Sequence, residues 1–359
     1  MRRRSIVLFV AVQLALAGCV SSNPGYCVDS TLCNDSDGLP GWGEDLAGSS
    51  QDLAQSSDDQ GSSTQDMSMT PLDLNKMGPF SFIRFDRKVM IGRSNVDISV
   101  IGPSDDGKEI TKRGAPLPWV LLSPGFQTDH KQYQSYGDRL ASYGIVTVLQ
   151  KSPSEFNHTN YRDDTVQLIN WLLNPVGMGA DRLAGRLDRD RLGLVGHSLG
   201  GKISFLVAES DPRVKAILGI DPVDQRDPTA LSGIAKLKLP TGVPIGYLGE
   251  TVSKMGGMPC APANANYEVL YKASPSPAFS ITFIGAAHMD FVDNPATCWN
   301  CGFCPGGTAP KDRTNSLAIK YTTAYFLSTI GGDRRALDTL SGVQFQKDVT
   351  AGFVSREAK

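Results

Sequence analysis

The chain has 359 residues, 40% of them apolar, and a formal net charge of −2. Without a long Lys/Arg run, that balance carries no electrostatic footprint for nucleic acid and sets that class of partner aside. The length suits one large α/β domain with an extension, or two average domains.

At the N-terminus, Arg2, Arg3 and Arg4 precede an apolar run from Ile6 to Ala17. The run is too short to span a bilayer and has the layout of an export signal. It ends in Leu16-Ala17-Gly18-Cys19, which resembles the lipobox of bacterial lipoproteins. That resemblance implies a signal peptide over residues 1–18, cleavage before Cys19 and lipidation of that cysteine. An ordinary secretory signal is the alternative. The protein is then expected in the cell envelope, held to a membrane by its N-terminus.

Residues 19–78 are rich in Ser, Asp, Gly and Gln, as in "GSSQDLAQSSDDQGSSTQDMSMT". Such a segment buries too little apolar surface to offset its ordering entropy, so it reads as a disordered tether. As a flexible coil it would reach roughly 45 Å root-mean-square.

From residue 79 to 359 a single catalytic domain is expected, with strand-like runs alternating with helical ones. Strands are read in "FSFIRFDR", "VDISVIG", "PWVLLSPG", "GIVTVLQ", "RLGLVGHS", "VKAILGID", "VPIGYLGE" and "FSITFIG". Helices are read over Tyr133–Tyr143, Tyr161–Leu173, Leu199–Ala208 and Thr314–Ile330. Val166, Ile169, Leu172 and Leu173 give the second of these an apolar face. The alternation argues βαβ units, hence a mostly parallel central sheet with helices on both faces.

Of the seven cysteines, setting Cys19 aside leaves Cys27, Cys33, Cys260, Cys298, Cys301 and Cys304. An even number in an exported chain reads as disulfides. Cys27 and Cys33 are spaced for a small local loop. The run "CWNCGFC" with Cys260 makes two bridges whose pairing the sequence leaves open. C-x2-C-x2-C alone would also suit a metal or an iron–sulfur cluster, but export favours disulfides, and no metal is expected.

"GLVGHSLGG" sets Gly196-His197-Ser198-Leu199-Gly200 between a strand and a helix. That is the G-x-S-x-G nucleophile elbow of the α/β-hydrolase fold, where any side chain at Gly196 or Gly200 would crowd the turn. Ser198 is the expected nucleophile. A serine hydroxyl needs a histidine to take its proton. Of His130, His158, His197 and His288, only His288 in "GAAHMDF" follows in the Ser-acid-His order and stands after a strand. His197 is expected to point away, and His130 and His158 to lie on the surface or the cleft edge. Backbone N–H groups of Leu199 and of Phe126 in "LLSPGFQTDH" are the expected oxyanion hole. For the acid that orients His288, the residues leave three candidates: Asp221 and Asp224 after "VKAILGI", and Glu250 after "VPIGYLG". Asp290 stands too close to His288 for that role. Pro222 cannot continue a sheet ladder, so the chain turns at Asp221, at the carboxyl end of a strand, where open α/β sheets carry their sites.

The runs "GHSLGGKISFLVAES", "AILGIDPVD", "VPIGYLGE", "MPCAPANANYEVLY" and "AAHMDFVDN", with the cysteine-rich stretch after them, resemble the chlorophyllase family and its bacterial relatives. The set runs in order from about Trp119 to Ile330. The same superfamily includes platelet-activating-factor acetylhydrolases and cutinase-like polyester hydrolases. The resemblance implies a serine carboxylic ester hydrolase that works through an acyl-enzyme on hydrophobic esters. In that family the acid is the first aspartate of "DPVD", which falls on Asp221. Plant members often carry Arg where this chain has Leu199. No cofactor is expected. Two further readings stay open: an acyltransferase using the same residues, and a surface lipoprotein that keeps the fold without turnover.

Overall fold

The computed structural model describes residues 72–177, 182–224, 239–254, 259–298 and 301–359. The expected signal, most of the expected tether, Cys19, Cys27 and Cys33 lie outside the described residues. Leu74 is fully buried in the core, ahead of the expected boundary at residue 79.

Among the described residues, nine strands form one sheet: β1 (Phe82–Ile91), β2 (Ser94–Pro103), β3 (Leu117–Ser123), β4 (Val146–Lys151), β5 (Leu187–His197), β6 (Val214–Ile220), β7 (Ile245–Glu250), β8 (Ala278–Phe283) and β9 (Val354–Ala358). Their order across the sheet is β1-β2-β4-β3-β5-β6-β7-β8-β9. Six neighbouring strands, β4 through β8 in that order, run parallel; β1, β2 and β9 pair antiparallel at the two edges. The expected mostly parallel sheet is therefore present.

The central strands are buried on both faces, as parallel strands covered by helices must be. In β3, Val120 and Leu122 point into one apolar cluster while Trp119 and Leu121 point into the other. Helices α1 (Gln134–Ser142) and α5 (Lys311–Thr329) cover the first cluster. Helices α2 (His158–Leu173) and α3 (Leu199–Ser210) cover the second, with α4 (Tyr267–Ala273) beside them. Short helices α6 (Leu337–Ser341) and α7 (Val343–Thr350) lead into β9. The face that α2 buries centres on Tyr161, Leu168, Ile169 and Leu172, while Val166 and Leu173 are only partly covered.

The cysteines past β7 form two disulfides, Cys260–Cys304 and Cys298–Cys301. Their thiols are used by each other, as expected for this group. The first bridge ties the segment after β7 to the segment after β8.

Trp119 is fully buried, and its indole N–H donates to the carbonyl of Asp188 at 2.8 Å. Trp119→Ala should lower stability by about 3–5 kcal/mol, the usual cost of truncating a large core aromatic. Urea unfolding measures it, and a loss under about 1 kcal/mol would contradict this packing.

Candidate active site

Ser198 stands between β5 and α3 with φ 54° and ψ −121°, a left-handed conformation that a side chain tolerates poorly. It is held there by crowding. A Cβ on Gly196 would sit 2.1 Å from the carbonyl oxygen of Gly200, and a Cβ on Gly200 would sit 2.1 Å from that of Ser123. Only glycine allows β5, α3 and the end of β3 to meet this closely. Leu199 is the first residue of α3, so its N–H has no partner within the helix.

Two other non-glycine residues among those described have positive φ: Gln127 (53°) and Asp221 (40°). Each follows a strand next to the elbow: Gln127 past β3, and Asp221 directly after β6. The strained backbone thus gathers at the carboxyl ends of three neighbouring central strands, where such outliers point to function.

At Asp221 the chain turns into Pro222, and the Val223 N–H donates to the Ser198 carbonyl at 3.2 Å. This corner brings the Asp221 carboxyl to His288, with 2.6 Å between Oδ2 and Nδ1. Both side chains are buried. Burial pushes the His288 imidazole down to about 4. A carboxylate only accepts, so an uncharged His288 ring facing an ionised Asp221 carries its hydrogen on Nδ1 and its lone pair on Nε2. The His288 backbone is held too, its N–H donating to Ser253 Oγ at 2.9 Å.

The other two candidate acids lie elsewhere. Asp224 pairs with the buried Lys202 of α3 at 2.9 Å, and its N–H donates to the Ala265 carbonyl. It fastens the corner to the helix that follows Ser198. Glu250 Oε2 accepts the N–H groups of Val252 and Ser253, so it shapes the turn whose Ser253 holds His288. Asp290 Oδ2 accepts the Ala287 N–H and caps the turn that starts at His288.

The loop after β3 carries Phe126. The Gly125 N–H on one side donates to the Tyr133 hydroxyl at 3.2 Å, and the Gln127 N–H on the other to Glu155 at 3.1 Å. Lys151 braces the same loop, donating to the Thr128 carbonyl and to Glu155. The Phe126 ring meets Phe156 edge to face at 5.0 Å, and Phe156 is 71% exposed. Beside it, a pocket of about 230 Å³ is lined by Gln127, Gln132, Lys151, Thr297 and Cys298 among others. The cysteine-rich segment therefore shares a wall with this loop.

The remaining histidines are buried. His130 Nε2 lies 3.1 Å from Ser99 Oγ on β2, beneath the surface. His158 opens α2. His197 does turn from the cleft, toward Tyr133 and the His288 carbonyl. Tyr133, Ser253 and Glu155 were not singled out by the sequence. Each acts through backbone contacts that no local pattern announces.

A parallel sheet with helices on both faces, and a serine elbow, an aspartate corner and a histidine turn at the carboxyl ends of its strands, define an α/β-hydrolase fold. The chain belongs to the chlorophyllase family, whose profile matches residues 108–348. It is 26% identical over 196 residues to Chlorophyllase-2 of Arabidopsis thaliana, covering 49% of this chain and 61% of that protein. Against Chlorophyllase-1 of the same plant it is 27% identical over 247 residues, 60% of this chain and 73% of that protein. A bis(hydroxyethyl) terephthalate hydrolase of Streptomyces coelicolor is 28% identical over 160 residues, 44% of this chain and 45% of that protein. The match thus spans less than two thirds of two of these three relatives.

Glu250 gives this site a pH signature. Burial, and then the charge of Asp221, push its carboxyl up to about 8 from an ordinary value of 4.5. Between those values the folded chain holds a proton that the unfolded chain has lost, so this group makes stability fall as pH rises through the window. Glu250→Gln removes the titration, so the Tm of the variant relative to wild type should climb between about pH 5 and about pH 8. Paired thermal melts test this, and a Tm difference that stays constant across the window would contradict it.

Proposed function

We propose that this protein is a serine carboxylic ester hydrolase that works through an acyl-enzyme. The observation that carries the reading is the buried 2.6 Å contact between His288 Nδ1 and Asp221 Oδ2 beside the elbow. With Nδ1 engaged, His288 Nε2 takes the Ser198 hydroxyl proton as Oγ bonds to the ester carbonyl carbon. The carbonyl oxygen becomes an oxyanion facing the N–H groups of Leu199 and Phe126. The tetrahedral species collapses, the ester C–O bond breaks, and the leaving alcohol receives the proton from His288. Water repeats the cycle on the acyl-enzyme and releases the acid. Asp221 keeps the ring in its tautomer and stabilises the imidazolium that forms twice per turnover.

Hydrophobic esters are the proposed substrates. The exposed Phe156 packed on Phe126 supplies an apolar face beside the proposed oxyanion hole, suited to a bulky ester group. The relatives agree in kind: two are named chlorophyllases and one a terephthalate ester hydrolase. Leu199, where plant members often carry Arg, argues for a substrate other than chlorophyll. The Arg2–Arg4 cluster, the apolar run and the LAGC sequence support export and tethering through a lipidated Cys19. The pairing of Cys260 with Cys304 and of Cys298 with Cys301 fits an oxidising compartment.

Ser198→Ala should abolish turnover of a p-nitrophenyl ester. Asp221→Asn should lower kcat on the order of 10⁴-fold, as loss of an orienting carboxylate does in serine hydrolases, and Glu250→Gln by less than about tenfold. The reverse ranking of the two acids would move the orienting role to Glu250. Adding an acceptor alcohol and analysing products tests the transferase alternative: ester product in place of acid would favour it.

A further inference from the structure

His197 has no task in the chemistry assigned to Ser198, yet both of its ring nitrogens are engaged. It is 1% exposed, and its ring lies 4.6 Å from that of His288, centroid to centroid. Nε2 is 2.9 Å from the His288 carbonyl oxygen, and Nδ1 is 2.7 Å from the Tyr133 hydroxyl. A carbonyl only accepts, so Nε2 must carry a hydrogen. Burial, and then the neighbouring His288, hold His197 well below its ordinary pKa, so the ring is neutral. A neutral ring with hydrogen on Nε2 offers a lone pair at Nδ1, and Tyr133 must therefore donate its hydroxyl hydrogen there. The hydroxyl oxygen still has lone pairs, and the Gly125 N–H donates to it at 3.2 Å. Every donor finds an acceptor: Gly125 N–H to Tyr133, Tyr133 O–H to His197 Nδ1, and His197 Nε2–H to the His288 carbonyl.

The two ends of this chain are backbone groups of Gly125 and His288. Gly125 precedes Phe126, which presents the proposed oxyanion N–H, and His288 is the proposed base. The middle, His197, is joined to Ser198 by a peptide bond. Space for rearrangement is small, because a Cβ on Gly125 would sit 3.1 Å from His197 Nδ1 and 3.4 Å from the Ser198 Cβ.

We propose that Tyr133 and His197 are positioning residues, which fix the backbone of the Phe126 loop and of His288 relative to each other and to the nucleophile. This rests on the reading of Ser198 as nucleophile and His288 as base. Neither residue touches substrate. Their effect falls on the transition state, since an N–H stabilises the oxyanion only when it is aimed at where that charge develops.

Tyr133→Phe keeps the ring and removes the hydroxyl. It should lower kcat for a short p-nitrophenyl ester on the order of tenfold or more while KM moves less than about threefold. Affinity for phenylboronic acid, whose tetrahedral adduct on Ser198 places an oxygen in the oxyanion position, should fall by a similar factor. His197→Gln can offer an N–H and a carbonyl oxygen in place of the two ring nitrogens, whereas His197→Met offers neither. The Gln variant should keep a kcat several-fold above the Met variant when the two are compared at similar Tm. Unchanged kcat and boronate affinity in Tyr133→Phe would overturn the proposal; should that variant not fold, equal kcat in the two His197 variants would overturn it. Ser198→Ala separates the two levels. Full turnover in Ser198→Ala defeats the nucleophile reading itself, whereas loss of turnover there with a silent Tyr133→Phe defeats only the positioning role.

Discussion

The site depends on backbone meeting backbone at the elbow. Gly196 and Gly200 let β5, α3 and the end of β3 approach so closely that a single methyl group on either would overlap a carbonyl. That contact forces Ser198 into positive φ, and the packed sheet and helix around it offset the strain. The same closeness puts the Pro222 corner against α3, where the Val223 N–H reaches the Ser198 carbonyl. Asp221 is aimed at His288 from that corner. The Ser198 elbow and the Asp221 corner are therefore tied to one packing constraint among neighbouring parallel strands.

Electrostatics then divides the work among acids of similar appearance. Asp221 and Asp224 follow β6 and Glu250 is the last residue of β7, at the same end of the sheet. Asp224 is taken by Lys202, and Glu250 by the N–H groups of its own turn. Asp221 meets an imidazole nitrogen. Burial keeps that imidazole neutral. Glu250, with its Oε1 buried and without a hydrogen-bond partner among the described residues, sits where a neutral carboxyl is favoured over a second negative charge beside Asp221.

The turn at the elbow was legible in the sequence because crowding of this kind admits few residues, and the glycines and serine stand next to one another in the chain. The strand ending at Asp221 was legible for a similar local reason: an apolar run stopped by proline. Strand β9 was not, because Val354-Ser355-Arg356-Glu357-Ala358 has no marked pattern of its own and is a strand only through pairing with β8. Helix α4 was missed since its seven residues carry too little periodicity; what places it is Tyr267, packed where a Cβ on Gly249 would lie. The Tyr133–His197 contact joins residues 64 apart, and the sequence holds no signal for it. Local crowding is written locally, whereas the supports that aim the site come from tertiary packing.

The proposed acyl-enzyme is the most direct point of test. Wild-type protein mixed with a slowly deacylating ester and quenched in acid should yield one peptide heavier by the acyl group, carrying the modification at Ser198. An acyl group found on another residue, or turnover that proceeds with no acyl adduct while intact enzyme accumulates product, would contradict the account.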